Sequence, residues 1–332
     1  MIIDVHAHLY PRAFMEEIAA HGPRHGVSLT GDTPPVLCFE GIEFWRYLPA
    51  FHDVAVRLKA MDDARCERQV LSLGPPMVYW ADIELGSRLS RIFNEEIARV
   101  VKAHPARFVG FAAVPLQNTS RALGELERAV DGLGLRGVAI GSNIDGMQLD
   151  DPRLAPFWER AETLDIPVFI HPVNPAGHAR RHDYRLDLAI GFPFDTTVAA
   201  ARLVYSGILA RHPRLRVCLA HLGGALPFLR ERLVLGWEVG REAFGASYGI
   251  TESPERGLER FWFDVISYYE PALLAGVACV GADRLVIGSD APFAVGSLAR
   301  SIASIRDFAF LPRRDRERIL GVNAREFLDG AG

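Results

Sequence analysis

No apolar run in the chain approaches the ~20 residues needed to span a bilayer. The opening MIIDVHAHLYPRAF has no basic segment followed by a long apolar stretch, so it does not read as a secretory signal, and the expected location is cytoplasmic. Cysteine is scarce: Cys38, Cys66, Cys218 and Cys279 are widely spread and form no CxxC pair, which excludes a small stapled scaffold and points to buried, reduced thiols. Positive charge is not in excess. Lys and Arg number 37 against 41 Asp and Glu, a net charge of −4, which argues against nucleic acid or an anionic membrane surface as the main partner. No glycine-rich phosphate loop stands out, because Gly132-Leu133-Gly134 follows a helix rather than a strand. Repeats, low-complexity tracts and flexible linkers are also missing. The 332 residues are therefore expected to form one large domain rather than two ordinary ones.

What is present is a short apolar strand followed by an amphipathic helix, repeated. Apolar runs occur at Ile2–Val5, Gln69–Leu73, Phe108–Val114, Gly137–Ile140, Val168–Ile170, Val217–Ala220, Phe261–Ile266 and Leu285–Ile287. Most are continuous rather than alternating, as expected for parallel strands covered on both faces. Eight such runs is the number a (β/α)8 TIM barrel needs, and that is the predicted α/β fold. Between the runs, Leu89, Ile92, Phe93, Ile97, Val100 and Val101 form one apolar helical stripe. Asn118-Thr119-Ser120, Asp151-Pro152 and Asp195-Thr196-Thr197 read as helix starts. Residues 11–50, rich in proline and with little helical period, read as an insertion over one barrel mouth that distorts the regular fold. A second irregular stretch, Pro172 to Pro193, follows strand five; His178 and His182 within it are candidates to line the mouth.

His6-Ala7-His8 ends the first strand. Side chains at i and i+2 of a strand share a face, so two imidazoles there can hold one cation. His171, His221 and Asp290 end, or closely follow, the fifth, sixth and eighth apolar runs. In a barrel the C-terminal strand ends converge on one mouth, where active sites lie. Residues far apart in sequence can therefore meet there.

These residues resemble the signature of the amidohydrolase superfamily: an HxH pair on strand one, histidines on strands five and six, and an aspartate on strand eight. Strand four, Gly137 to Asn143, lacks the lysine or glutamate of the binuclear members. The resemblance therefore implies one divalent metal ion on His6, His8, His171 and Asp290, with zinc first and manganese second, and His221 beside it as an acid/base group. Arg57 to Asp62, Pro105 to Gly110, Gly191-Phe192-Pro193, Ala220 to Gly224 and Gly288 to Phe293 are similar to the aminocarboxymuconate semialdehyde decarboxylase family. That likeness implies a homodimer with a shared active site, in which Arg46 and the partner subunit's Arg232 hold the substrate carboxylate. Val173 and Leu188 replace two family tryptophans near the substrate, so carboxymuconate semialdehyde-like and hydroxybenzoate-like acids both stay open, while the metal set is untouched.

The implied activity is non-oxidative decarboxylation of a small unsaturated or aromatic carboxylic acid, with His221 and Asp290 as catalytic groups. A mononuclear hydrolase of a lactone or amide uses the same residues and is the alternative. A non-catalytic binding protein ranks behind both, because no member of the metal set is missing.

Overall fold

The computed structural model describes residues 1–173 and 183–330. Eight parallel strands carry the architecture: β1 (Ile3–His8), β2 (Arg68–Ser72), β3 (Phe108–Gly110), β4 (Val138–Gly141), β5 (Val168–His171), β6 (Val217–Leu219), β7 (Trp262–Asp264) and β8 (Leu285–Val286). One sheet runs β1-β2-β3 and another runs β4-β5-β6-β7-β8. Parallel bridges join the two at both seams: Ala112 with Val138, and Asp4 with Ile287 and Ala7 with Ala291. Backbone bonds Val5 N to Ile287 O (2.8 Å) and Ala112 N to Gly137 O (2.8 Å) reinforce these seams. The ring order β1 to β8 is that of a TIM barrel. Among the described residues no helix is long and apolar enough to cross a membrane.

The apolar residues sort by strand parity. Val70, Val109, Phe111, Ala139, Phe169, Cys218, Trp262 and Val286 form a compact inner cluster with Ile3 and Val5. Ala324, Phe327 and Leu328, from the helix Asn323–Asp329, join that cluster and plug the end of the barrel where the strands begin. The alternate residues, such as Leu71, Val138, Ile140, Val168, Ile170 and Leu219, belong to the larger cluster beneath the surrounding helices. Strands buried on both faces cannot show polar alternation, which is why the runs read as continuous in sequence.

One irregularity in β1 matters for the site. Its register against β2 shifts between Asp4 and Ala7, where three steps on β1 match two on β2. Such a bulge resets which side chains face inward. Ile3 and Val5 can therefore fill the inner cluster, while His6 and His8, of opposite parity, also face the barrel axis; the His6 ring lies 4.7 Å from that of Phe169. Asp4 secures the bulge, accepting from His6 N (3.1 Å), Ser289 N (3.0 Å) and Gln69 Nε2 (2.7 Å).

Two local readings of the sequence need correction. The stretch after β1 holds a regular helix, Arg12–His21, which buries Phe14, Met15 and Ile18. Its apolar signal is short and bracketed by prolines, which hid it. The helix expected to open at Asp195 begins at Phe192, because Pro193 suits the first turn. The Asp195 carboxylate instead accepts from Asn143 Nδ2 (2.9 Å) and from Ser142 Oγ. After Arg12–His21 the chain forms a small antiparallel sheet of Val27–Leu29, Val36–Phe39 and Ile42–Arg46. This sheet brings Phe44, Trp45 and Arg46 to the mouth.

Candidate active site

Four imidazoles and one carboxylate meet where the strands end. His6 Nε2 is 2.9 Å from His8 Nε2. Asp290 Oδ1 lies 3.2 Å from His6 Nε2, 3.1 Å from His8 Nε2 and 3.7 Å from His171 Nε2. The other oxygen, Oδ2, faces His221 Nε2 at 3.5 Å. One donor atom each from His6, His171, His221 and Asp290 lies within 4.8 Å of every other, and His8 flanks this group. All five expected site residues at the strand ends are thus brought together.

The donor chemistry fits a divalent metal ion. His171 Nδ1 sits 2.9 Å from Pro172 O and must donate to it, which leaves the Nε2 lone pair free. His171 Nε2 is buried and has no hydrogen-bond partner. His6 Nδ1 is 2.6 Å from Asp264 Oδ2, so its Nε2 is likewise the lone-pair nitrogen when that carboxylate is ionised. Several lone pairs and a carboxylate oxygen aimed at one point repel one another unless a cation sits among them. Burial pushes His8 and His171 towards the neutral form, the form that ligates, and the neighbouring imidazoles add to the shift. Burial also opposes a charge on His6, but Asp290 and Asp264 outweigh it, so that without an ion a proton is drawn onto that ring in the place a cation would take. Asp290 is held ionised well below the usual carboxylate range, because the charge on His6 and the histidine hydrogen bonds overcome its burial.

Backbone conformation aims two of these groups. His221, Leu222 and Asp290 all have φ near +56°, in the left-handed region that costs a non-glycine residue ~1–3 kcal/mol. Such conformations persist where the surroundings hold them, and here they turn His221 and Asp290 from the strand line into the mouth. Gly224, with φ +67°, completes the turn; a Cβ there would lie 2.0 Å from Pro193 O. His6 and His8 are fully buried, whereas the His221 side chain keeps 17% of its exposure and faces the cavity.

That cavity has a volume of about 620 Å³. His171, His221 and Asp290 form its floor, and Phe44, Trp45, Phe51, Phe192, Tyr268 and Phe293 wall it. An apolar, aromatic-lined cavity of this size suits a flat small molecule. Arg46 is exposed and lines the cavity's edge. Arg232 is exposed on the helix Leu226–Phe244 and does not line the cavity of its own chain. His178 and His182 lie outside the described residues.

Three participants escaped the sequence reading. Arg185 lines the cavity and donates to Glu43 O (2.7 Å) and Phe44 O (2.9 Å), which fixes the sheet strand above the mouth. Arg57 is buried and donates to Gln69 Oε1 (2.8 Å), Ala50 O (3.2 Å) and His8 O, which holds the end of β1. Asp264 ends β7 beneath His6. Its signal was available: it is the acid within the seventh apolar run, at the same strand-end level as the residues that were found.

Comparison with known proteins agrees with this geometry. A family model described as amidohydrolase matches residues 3–330. The 2-amino-3-carboxymuconate-6-semialdehyde decarboxylase of Dictyostelium discoideum is 34% identical, over 98% of this chain and 91% of its own length. The gamma-resorcylate decarboxylase of Rhodococcus jostii (strain RHA1) is 36% identical, over 81% of this chain and 85% of its own. The crystal structure of 5-carboxyvanillate decarboxylase from Sphingomonas paucimobilis superposes with a TM-score of 0.86 at 26% identity, covering 99% of this chain and 98% of that one.

Proposed function

The chain belongs to the amidohydrolase family, and from that premise we propose that it is a metal-dependent, non-oxidative decarboxylase of a small aromatic or unsaturated carboxylic acid. The observation that carries this reading is the division of Asp290: Oδ1 is the oxygen nearest three histidine Nε2 atoms, while Oδ2 is the one nearest His221 Nε2. A carboxylate so divided can serve a cation on one side and move a proton on the other. The relatives at 34% and 36% identity are decarboxylases, which supports this activity over hydrolysis.

His6, His8, His171 and Asp290 would hold the ion. Zinc is the first choice for three imidazoles and a carboxylate, with manganese the alternative that metal analysis would reveal. When bound, the ion supplies positive charge that holds substrate oxygens and stabilises negative charge developing on them. Arg46 would grip the substrate carboxylate through parallel hydrogen bonds while the aromatic walls exclude water. His221 would take a proton from a substrate hydroxyl or a water and pass it to Asp290 Oδ2. Asp290 would then deliver that proton to the carbon bearing the carboxylate. The bond to the carboxyl carbon breaks, its electron pair stays with the ring, and carbon dioxide leaves. A proton from solvent then returns to the oxygen that gave one up, so that overall one proton is consumed and one carbon dioxide is released.

The further proposal is a homodimer in which the partner subunit's Arg232 completes the grip on the carboxylate. In support, the exposed helix carrying Arg232 also exposes Phe228 (87%) and Leu235 (57%), apolar area that a second copy would cover. Sedimentation of wild type and of Arg232→Ala, with kcat and KM for each, tests this part. The activity is tested by incubating metal-loaded enzyme with 2,6-dihydroxybenzoate, 5-carboxyvanillate and aminocarboxymuconate semialdehyde. Carbon dioxide release with a proton at the vacated carbon is expected. Hydrolysis products with no carbon dioxide from any carboxylated substrate would overturn it.

A further inference from the structure

The carboxylate of Asp264 is fully buried and lines no part of the cavity, yet both of its oxygens are used twice. Oδ2 is 2.6 Å from His6 Nδ1 and accepts from His221 N at 3.0 Å. Oδ1 accepts from Leu222 N at 3.1 Å and from Ile266 N at 2.9 Å. Three of these four partners are backbone N–H groups, which can only donate. The fourth is a ring nitrogen that must donate as well, because an ionised carboxylate only accepts.

From this arrangement we infer that Asp264 is a positioning residue that sets two groups at once: it fixes the His6 tautomer with Nε2 presented to the metal site, and it holds the left-handed turn that carries His221. The inference rests on the metal reading above and adds a residue to it. His221 and Leu222 both have φ near +56°, and Asp264 accepts the backbone N–H of each. No other side chain touches the His6 ring and the His221 backbone together through hydrogen bonds among the described residues. A movement at the end of β7 would therefore reach a metal ligand and the acid/base group simultaneously.

Asparagine at this position has no acceptable orientation. With its NH2 in the place of Oδ2, it would face His221 N–H, and His6 Nδ1 could satisfy it only by becoming an acceptor. The His6 proton would then sit on Nε2, where the metal belongs. With its NH2 in the place of Oδ1, it would oppose two backbone N–H groups and open the turn at Leu222. Either way one of the two functions is lost. Asn94 provides the control, since it too is fully buried and bonds both backbone groups of Ala113, at 2.8 Å from N and 2.9 Å from O. It bonds none of the proposed metal ligands.

The test is to titrate the chelator-stripped full chain with Zn²⁺ and with Mn²⁺ by calorimetry, for wild type, Asp264→Asn and Asn94→Ala, alongside thermal melts of each metal-free protein. Partners of ligating histidines typically change metal affinity ~10–100-fold. Asp264→Asn should show that loss, while Asn94→Ala melts earlier yet keeps its affinity within about threefold, outside that range. Equal affinity for wild type and Asp264→Asn, or equal losses in both variants, would overturn the inference. No metal binding by wild type would overturn the metal reading and this inference with it. Should Asp264→Asn fail to fold, neutron diffraction from deuterated, metal-loaded wild type decides. Deuterium on His6 Nδ1 opposite an unprotonated Asp264 is expected. A bare Nδ1 facing a protonated Asp264 would refute it.

Discussion

Substituting Gly288 by alanine probes how tightly the fold holds its first proposed ligand. Gly288 lies two residues before Asp290, and a Cβ built on it would sit 2.7 Å from Cβ of Asp264 and 2.9 Å from Cβ of His6. Carbon atoms settle no closer than ~3.5 Å, so the neighbours must part from the new methyl by roughly 0.6–0.8 Å. Neither neighbour can swing away, because each Cβ is carried by strand backbone at the ends of β1 and β7. Overpacking of this kind costs ~1–3 kcal/mol. At ~2–4 °C per kcal/mol for chains of about 150–250 residues that cost amounts to about 2–12 °C, and for this longer chain the metal-free protein should melt lower by an amount near the bottom of that range. The functional cost is separate from that packing cost and of similar size. A misplacement of ~1 Å at a reacting geometry costs about 10²-fold, so a displacement just short of that predicts a 10–100-fold fall in kcat/KM. Metal affinity should fall with it. Melts with and without metal separate the two effects, since only the variant's ligand geometry shrinks the gap between them. A control is Gly124→Ala in the helix Thr119–Glu127, where a Cβ meets nothing within 4 Å. It should gain up to ~1 kcal/mol and keep full activity. If Gly288→Ala keeps wild-type metal affinity and kcat/KM, steric confinement of His6 is not what fixes the ligand, and the reasoning fails.

Prolonged chelation should abolish activity and lower the melting temperature, since a ligand that binds only the folded state stabilises by RT ln(1 + [L]/Kd); activity that survives complete metal removal would refute the site. Arg57→Met should destabilise by at least about 2 kcal/mol in denaturant melts, because it leaves the buried acceptors Gln69 Oε1 and His8 O bare at ~1–3 kcal/mol each. Arg46→Ala should raise KM by about tenfold or more with a smaller effect on kcat, the loss of a charge-assisted contact being worth ~1.5–3 kcal/mol. Arg185→Ala should instead loosen the strand Ile42–Arg46, seen as faster amide exchange at residues 42–46; unchanged exchange would show that its bonds to Glu43 O and Phe44 O do not hold the sheet.

The barrel strands were legible because burial on both faces writes itself as uninterrupted apolar sequence. The strand-end histidines and Asp290 were legible because each interrupts or ends such a run with a group that burial would otherwise exclude. Asp264 obeyed the same rule, yet it sits among Trp262, Phe263, Val265 and Ile266, where a lone acid gives no hint of its partner. Its role appears only when the end of β1 and the turn after β6 are brought up to it. Arg185 could not be read locally at all, because its acceptors are backbone carbonyls roughly 140 positions earlier. The helix Arg12–His21 was hidden by flanking prolines, and Asp195 resembled a helix cap but serves Ser142 and Asn143. Apart from that helix, these misses share one cause. Each concerns a polar group whose partner is distant in sequence, and periodicity carries no information about such partners.

The bulge in β1 separates two obligations that a regular strand would force into one alternation. Before it, Ile3 and Val5 answer to the inner apolar cluster; after it, His6 and His8 answer to chemistry. A point substitution on one side need not disturb the other, so the two halves of this strand are free to diverge independently. Deleting Val5 would leave two steps on β1 against two on β2, so strict alternation would return with Ile3, His6 and His8 all facing the axis. The extra residue is what lets an apolar side chain and an imidazole face inward side by side. Its loss would cost the inner cluster one side chain rather than cost the site its imidazoles.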